Sequence, residues 1–231
     1  MELTQLLNEF QGTPLDIEKL SSYEKWALSF FHNEKEISDP HIDITLQLDI
    51  SDAEKHYLSG PSKTAGTSFT AYLYWNLIQA MKKNPPFLWR CIDNRWYHFT
   101  NLPLSFPIIV GGKERFNDLL IKNVCSMSWD EFCIEYRCMV DTAIKNKKEF
   151  QPVDYDLWRL TIFIGNQPDL QFTAMNIHTQ IKKTGRPLFY FGKRYRTGER
   201  LFAPLFISFD HSNIDPYVLD KLLKDYNAVL A

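Results

Sequence analysis

An α/β (α+β) two-layer sandwich, with a mixed sheet flanked by helices, is the fold class that this 231-residue sequence predicts. Short strand-like segments alternate with a few long segments of helical periodicity, and the strands dominate by number. An aromatic content of 15%, with 17 Phe, 11 Tyr and 6 Trp, calls for a heavy core or a buried interface. The length suits one large domain, expected to run over residues 1–231.

Leu15 to Phe31 reads as a surface-to-core segment with an early helix, and Ile42 to Ile50 (IDITLQLDI) alternates as a half-buried strand does. The loop from Ser59 to Gly66 contains Gly60-Pro61 and ends before a helix. From Ser68 to Lys82 the positions Phe69, Leu73, Leu77, Ala80 and Met81 recur at helical spacing, and Asn84-Pro85-Pro86 stops the element. Strands follow at Leu88 to Ile92, Trp96 to Thr100 and Phe106 to Val110, turning at Asp93-Asn94 and at Pro103. Trp129 to Asn146 is a second long helix. Pro187 to Arg196 and Arg200 to Asp210 form a hairpin across Thr197-Gly198-Glu199, where Gly198 supplies positive φ. The last helix starts at Asp215-Pro216, since proline suits a first helical position, and carries Val218, Leu219, Leu222, Leu223, Tyr226 and Val229 on its apolar face.

The net charge of -2 argues against a nucleic-acid partner, which needs a basic face. No apolar run approaches the roughly 20 residues that span a bilayer, and MELTQLLNEF has no leader character, so no membrane association and a cytoplasmic protein are expected. Cys91, Cys125, Cys133 and Cys138 form no CxxC pair and have no histidine at zinc spacing; free, mostly buried thiols and no metal are expected.

The segment Leu205 to Pro216, LFISFDHSNIDP, concentrates the chemistry. An apolar strand runs into His211, and Asp215 follows at a helix start. A neutral imidazole there can take a proton from an alcohol or thiol near pH 7, because its unperturbed pKa is about 6.5. His211 also reads as a core histidine satisfied by backbone, and Asp215 as a helix N-cap worth about 1 kcal/mol. His178 reads as structural or exposed. Lys145, Lys147 and Lys148 read as a solvated helix end that also suits the phosphates of a ligand.

The tail Pro187 to Pro216 resembles the end of chloramphenicol acetyltransferases, where a PxF-x-x-GK-x-Y strand, a turn and an apolar strand lead into HHxxxDG. The resemblance continues in order through Phe172-Thr173-Ala174-Met175-Asn176, Phe69 to Phe87, Leu15-Asp16-Ile17 and Tyr23-Glu24-Lys25-Trp26. DHSNID is similar to the DHRxxDG of dihydrolipoamide acyltransferases as well, which share the fold, but no lipoyl-bearing domain is read here. The resemblance implies the CoA-dependent acyltransferase fold and acetyl-CoA as co-substrate. It also implies a small-molecule acceptor alcohol, with chloramphenicol among the acceptors to test. His211 would be the general base in direct attack on the thioester, Asp215 the clamp of the catalytic loop, and the assembly a homotrimer with sites between subunits. Trp26, Phe30 and Phe31 lie where that family lines its acceptor pocket. The departures are Ser22 for the arginine that pairs the aspartate, Ala174 for the serine that donates to the oxyanion, and Tyr190 for a threonine near the site. Asp210 stands for the first histidine and Pro216 for the glycine. Thr173 is the hydroxyl nearest Ala174, and on a strand the two would face opposite ways. Arg186 or Arg194 is a substitute cation for Asp215. The retained His211 favours an acyltransferase, whereas Ala174 with Ser22 favours the alternative, a trimeric binding or assembly protein that keeps the fold and has lost efficient chemistry.

Overall fold

In the computed structural model, residues 2–60, 67–146, 150–178 and 183–230 are described; Pro61 to Gly66, Lys147 and Lys148 lie outside them. The helices are α1 (Leu3–Glu9), α2 (Ser22–Phe30), α3 (Ser51–Ser59), α4 (Phe69–Lys82), α5 (Trp129–Asn146), α6 (Tyr155–Trp158) and α7 (Pro216–Leu230). The strands are β1 (Gly12–Pro14), β2 (His41–Asp49), β3 (Trp89–Ile92), β4 (Arg95–Phe99), β5 (Leu104–Gly111), β6 (Arg115–Ile121), β7 (Ile162–Asn166), β8 (Leu188–Phe191), β9 (Tyr195–Thr197) and β10 (Arg200–Asp210).

A 7-stranded sheet runs β2-β10-β8-β7-β5-β6 with β9 added to β10, and a 3-stranded sheet runs β1-β4-β3. The pairs β5·β7 and β7·β8 are parallel and the others antiparallel, so the large sheet is mixed. β10 is its spine, paired to β2 from Phe202 to Asp210 and to β8 from Leu205 to Ser208. That central place buries Leu201 and every residue from Ala203 to Asp210, which is why the segment reads as a nearly unbroken apolar run.

α4 begins where its side-chain chemistry says: the Ser68 hydroxyl accepts from the Ala71 N–H, and Asn84-Pro85-Pro86 turns the chain into β3. It packs between the sheet and α7, with Tyr226 Oη donating to the Leu73 carbonyl at 3.1 Å. α5 covers the β5 and β6 side through Tyr136, stacked on Phe106 with ring centroids 5.0 Å apart. The predicted turn at Gly198 has φ +61°.

β6 and β7 are elements that periodicity does not reveal. β6 is a sheet edge whose alternation is broken by Asn117-Asp118, and its turn from β5 uses positive φ at Gly111, Gly112 and Arg115. β7 is a five-residue run, too short for its apolar content to separate strand from helix. The expectation that Thr173 and Ala174 sit on a strand is corrected: the segment from Phe172 to His178 is irregular, with Thr173 and Ala174 exposed.

Two fully buried arginines lock the small sheet to the large one. Arg90 of β3 donates to the carbonyls of Trp89 (2.7 Å), Phe87 (3.0 Å), Leu160 (3.2 Å) and Thr161 (3.2 Å). Arg186 gives its Nε to Thr161, stacks 4.1 Å over Trp158, and leaves both terminal nitrogens without partners among the described residues.

At the far end of β2, Asp49 accepts from Ser51 Oγ (2.6 Å), Ser51 N (3.1 Å) and Arg200 Nε (2.7 Å). These bonds, the Ser51 hydroxyl's first, hold the carboxyl down at about 2. Its unfolded value is about 3.9. The native state therefore binds fewer protons in this window, so the stabilisation present above pH 4 is lost as pH falls toward 2. Exposure to solvent keeps it below about 1 kcal/mol. Urea melts at pH 5 and pH 2.5 should show a larger acid loss for the wild type than for Asp49→Asn; equal losses would refute the assignment.

Candidate functional site

β10 ends in a buried carboxylate that shapes the next four residues. Asp210 Oδ1 accepts the Ser212 N–H at 2.8 Å, and the Asp210 carbonyl accepts from Asn213 and Ile214. Asn213 Nδ2 then donates to the carbonyls of Pro86 (2.9 Å) and Gly185 (3.0 Å), pinning the turn to the end of α4. Gly185 takes φ +70°, and a Cβ there would come within 2.5 Å of the Trp96 ring. A tight approach and a left-handed backbone both require glycine at this point.

His211 is held at both ends. Its backbone N–H donates to the Pro40 carbonyl at 2.9 Å, and its ring Nδ1 lies 3.3 Å from the Ile214 carbonyl oxygen. A carbonyl only accepts, so this contact assigns the proton to Nδ1 and leaves Nε2 with its lone pair. The ring is half-buried against Phe31, centroid to centroid 4.1 Å.

Phe31 ends an aromatic wall on α2. Trp26 stacks on Phe30 at 5.0 Å and meets Phe31 at 5.4 Å, while Tyr23 follows Trp26 at 5.8 Å. The wall stands because a capping box, Ser21 with Glu24, fixes the start of α2. Trp26 is 48% exposed, so the wall presents apolar area to solvent beside His211. The structure thus brings Trp26, Phe30 and His211 together.

Asp215 is the N-cap of α7: its Oδ1 accepts the Val218 N–H at 2.8 Å. Its other neighbour is the Tyr23 phenol, whose pKa is raised by burial first and then by the Asp215 carboxylate beside it. Tyr23, one position after Ser22, thus faces the carboxylate for which the sequence suggested an arginine. Arg186 lies against Trp158 and Arg194 over the Phe69 ring at 5.1 Å. The signal for Tyr23 was present in Tyr23-Glu24-Lys25-Trp26, but a helix start only a residue from the expected position decides which side chain faces the aspartate.

The remaining predicted residues lie elsewhere in the chain. Tyr190 on β8 packs between Phe163 (5.1 Å) and Phe206 (6.2 Å), over Gly165, where a Cβ would come within 2.4 Å of its ring. Phe206 precedes His211 by five residues on β10, roughly 16 Å of extended chain. Thr173 and Ala174 belong to the irregular segment that runs along β2, from Phe172, whose carbonyl accepts from Gln47, to Asn176 beside His41 and Asp43. His178 is exposed, as is Lys145 at the end of α5.

Behind Phe31, Cys91 Sγ lies 3.5 Å from His32 Nε2. Burial, then Asp210, pushes the thiol up to about 12, and burial lowers His32, so both are neutral at pH 7. Among the described residues, no group of three or more His, Cys, Asp or Glu side chains could hold a metal, and no helix is long and apolar enough to cross a membrane.

No family model and no curated protein matches the chain. Solved structures do. A chloramphenicol acetyltransferase superposes with a TM-score of 0.76 at 22% identity, covering 95% of this chain and 100% of that one. The dihydrolipoamide acetyltransferase (E2p) of Azotobacter vinelandii gives 0.63 at 16% identity over 95% of this chain and 96% of its own. A probable dihydrolipoamide acetyltransferase from Listeria monocytogenes gives 0.60 at 16% identity over 91% of this chain and 92% of its own. A mixed sheet with β10 as its spine, flanked by helices and matched along nearly its whole length, gives this chain the fold shared by chloramphenicol acetyltransferase and the dihydrolipoamide acetyltransferase catalytic domains.

Proposed function

We propose that this chain is an acyl-CoA-dependent O-acyltransferase with His211 as its general base and acetyl-CoA as co-substrate. The observation that carries the reading is the contact of His211 Nδ1 with the Ile214 carbonyl, which in the neutral ring leaves Nε2 free, beside an exposed aromatic wall. Nε2 takes the proton of an acceptor hydroxyl as its oxygen attacks the thioester carbonyl. The tetrahedral adduct collapses by breaking the C–S bond, and the imidazolium returns the proton to the departing CoA thiolate, so the enzyme is unchanged. Trp26 and Phe30 would bind the apolar body of the acceptor. Asp215 and Tyr23 hold the loop against α2 rather than touching the reacting atoms.

Thr173, Ala174 and Tyr190 fit this reading as contributions to a neighbouring subunit's site, in a homotrimer with sites between subunits. Ala174 has no hydroxyl for the oxyanion. Thr173 does, and in an irregular segment it is not bound to face away from its neighbour as it would be on a strand. The placement of these residues away from His211 in one chain is what favours a shared site.

The test is a binding and turnover experiment on the native protein. CoA or acetyl-CoA at a hundred times Kd should raise stability by about 2.7 kcal/mol, read as a thermal shift. Thiol release should then depend on an added alcohol, and sedimentation should give three chains. No shift and no calorimetric heat at millimolar ligand would overturn the proposal.

A further inference from the structure

One face of the large sheet carries a polar pocket built from a single cross-strand row. Ser208 on β10 stands opposite Asp43 of β2 on one side and Leu188 of β8 on the other, so the three side chains share a face. His41, two residues before Asp43, lies on that face too, and its Nδ1 is 2.7 Å from Asp39 Oδ1, which also accepts the His41 backbone N–H at 3.0 Å. Asn176, Ile177 and His178 close the other side, enclosing about 260 Å³.

The charge in this pocket is one-sided. Two carboxylates line it and, among the described residues, no lysine or arginine does. Asp39 is engaged by His41, whereas Asp43 is exposed and forms no ion pair among the described residues. Ser208 is only 2% exposed, yet its hydroxyl, lining the pocket, has no hydrogen-bond partner among the described residues. Its oxygen is not among the fully buried unpartnered atoms: it opens onto the pocket, where it is free to accept a hydrogen bond from a ligand. The acceptors supplied by Asp43, Ser208 and the Asn176 amide oxygen suit the three N–H donors of an ammonium, while Leu188 and Ile177 offer aliphatic surface for the carbon next to it. The volume falls below the roughly 300–1,000 Å³ of whole small-molecule sites, which makes this a subsite for one end of a ligand. Pro40, between Asp39 and His41, accepts the His211 N–H, so pocket and base share the start of β2.

We propose that this pocket binds the ammonium end of a small organic cation and, resting on the acyltransfer reading, that the acceptor is an amino alcohol. The experiment compares 4-amino-1-butanol with 1,4-butanediol, its uncharged counterpart, by titration calorimetry on the intact protein. The amino alcohol should bind and the diol should not. Asp43→Asn, an exposed and nearly isosteric change, should weaken binding by about tenfold, the loss of one charge-assisted hydrogen bond. Ser208→Ala should weaken it severalfold. Equal heats from the two compounds, or binding that Asp43→Asn leaves unchanged, overturns the proposal. Thiol release with both compounds, run alongside, separates the two claims. Transfer to neutral alcohols with no preference for the amine sinks the amino-alcohol assignment and leaves acyltransfer intact. Ammonium binding that Asp43→Asn abolishes, with no thiol release from any acceptor, supports the pocket and removes the acyltransfer reading.

Discussion

Replacing His211 by alanine should lower acceptor-dependent thiol release from acetyl-CoA by about 10²- to 10⁴-fold, the usual contribution of a positioned general base. The loss should fall on kcat, since in the proposed mechanism the imidazole acts on a proton in flight and the stacked rings of Trp26 and Phe30 would hold the acceptor. The fold should survive: the His211 backbone bond to Pro40 is untouched, and the ring is half-buried, with Nδ1 making a single contact at 3.3 Å. His211→Gln sharpens the result, because an amide can still donate to the Ile214 carbonyl but has no basic nitrogen. If the ring were only a packing element against Phe31, the glutamine variant would retain the rate and the alanine variant would lose stability instead. A wild-type rate in either variant ends the assignment of His211 as base.

The largest stability effect is expected at Arg90, and its neighbour Arg186 supplies the contrast. Burial pulls both guanidinium groups down to about 9. Against an ordinary value of about 12.5 and roughly 1.4 kcal/mol for each pKa step, each buried charge costs on the order of 4–5 kcal/mol. Arg90→Met removes that cost but strips the carbonyls of Phe87, Trp89 and Leu160 of their arginine donor, at about 1–3 kcal/mol each, while the Thr161 carbonyl keeps Arg186. The second sum is the larger, and a net loss of about 1–2 kcal/mol follows, roughly 2–8 °C in Tm at this chain length. Arg186 donates to Thr161 alone, so Arg186→Met loses less than it relieves, offset in part by the Trp158 contact of about 1–2 kcal/mol. Its stability should stay within about 1 kcal/mol of wild type or rise. Denaturant melts of the two variants check the ordering. Equal destabilisation would mean that the terminal nitrogens of Arg186 are satisfied, by water for instance, and that the carbonyl count is not what matters.

Local chemistry fixed much of this architecture. The spacing from Phe69 to Met81 with Ser68 before it and Asn84-Pro85-Pro86 after it defines α4, and the Gly198 turn defines the hairpin into β10, because capping, periodicity and turn residues act within a few positions. His211 and Asp215 were legible for the same reason. A strand running into a helix with Asp-Pro at its start puts both on one short connection, and the N-cap role of Asp215 is a local hydrogen bond.

What lay beyond the sequence depends on which distant strands meet. β7 gains its strand character from lying between β5 and β8, β6 from closing an edge, and the segment after Asn166 leaves the sheet although its composition reads as a strand. Whether Ser22 or Tyr23 faces Asp215 turns on the rotation of α2 about its axis, set by packing of Ala27 and Leu28 in the core. Register sets Asp43 in one row with Ser208 and Leu188, both more than a hundred residues further along the chain, and a one-residue slip of β2 would turn Asp43 to the other face. Side-chain type and short-range spacing carried the chemistry of individual groups. Tertiary pairing alone decided their company, because register and helix rotation are settled by the summed burial of the whole core and not by any local preference.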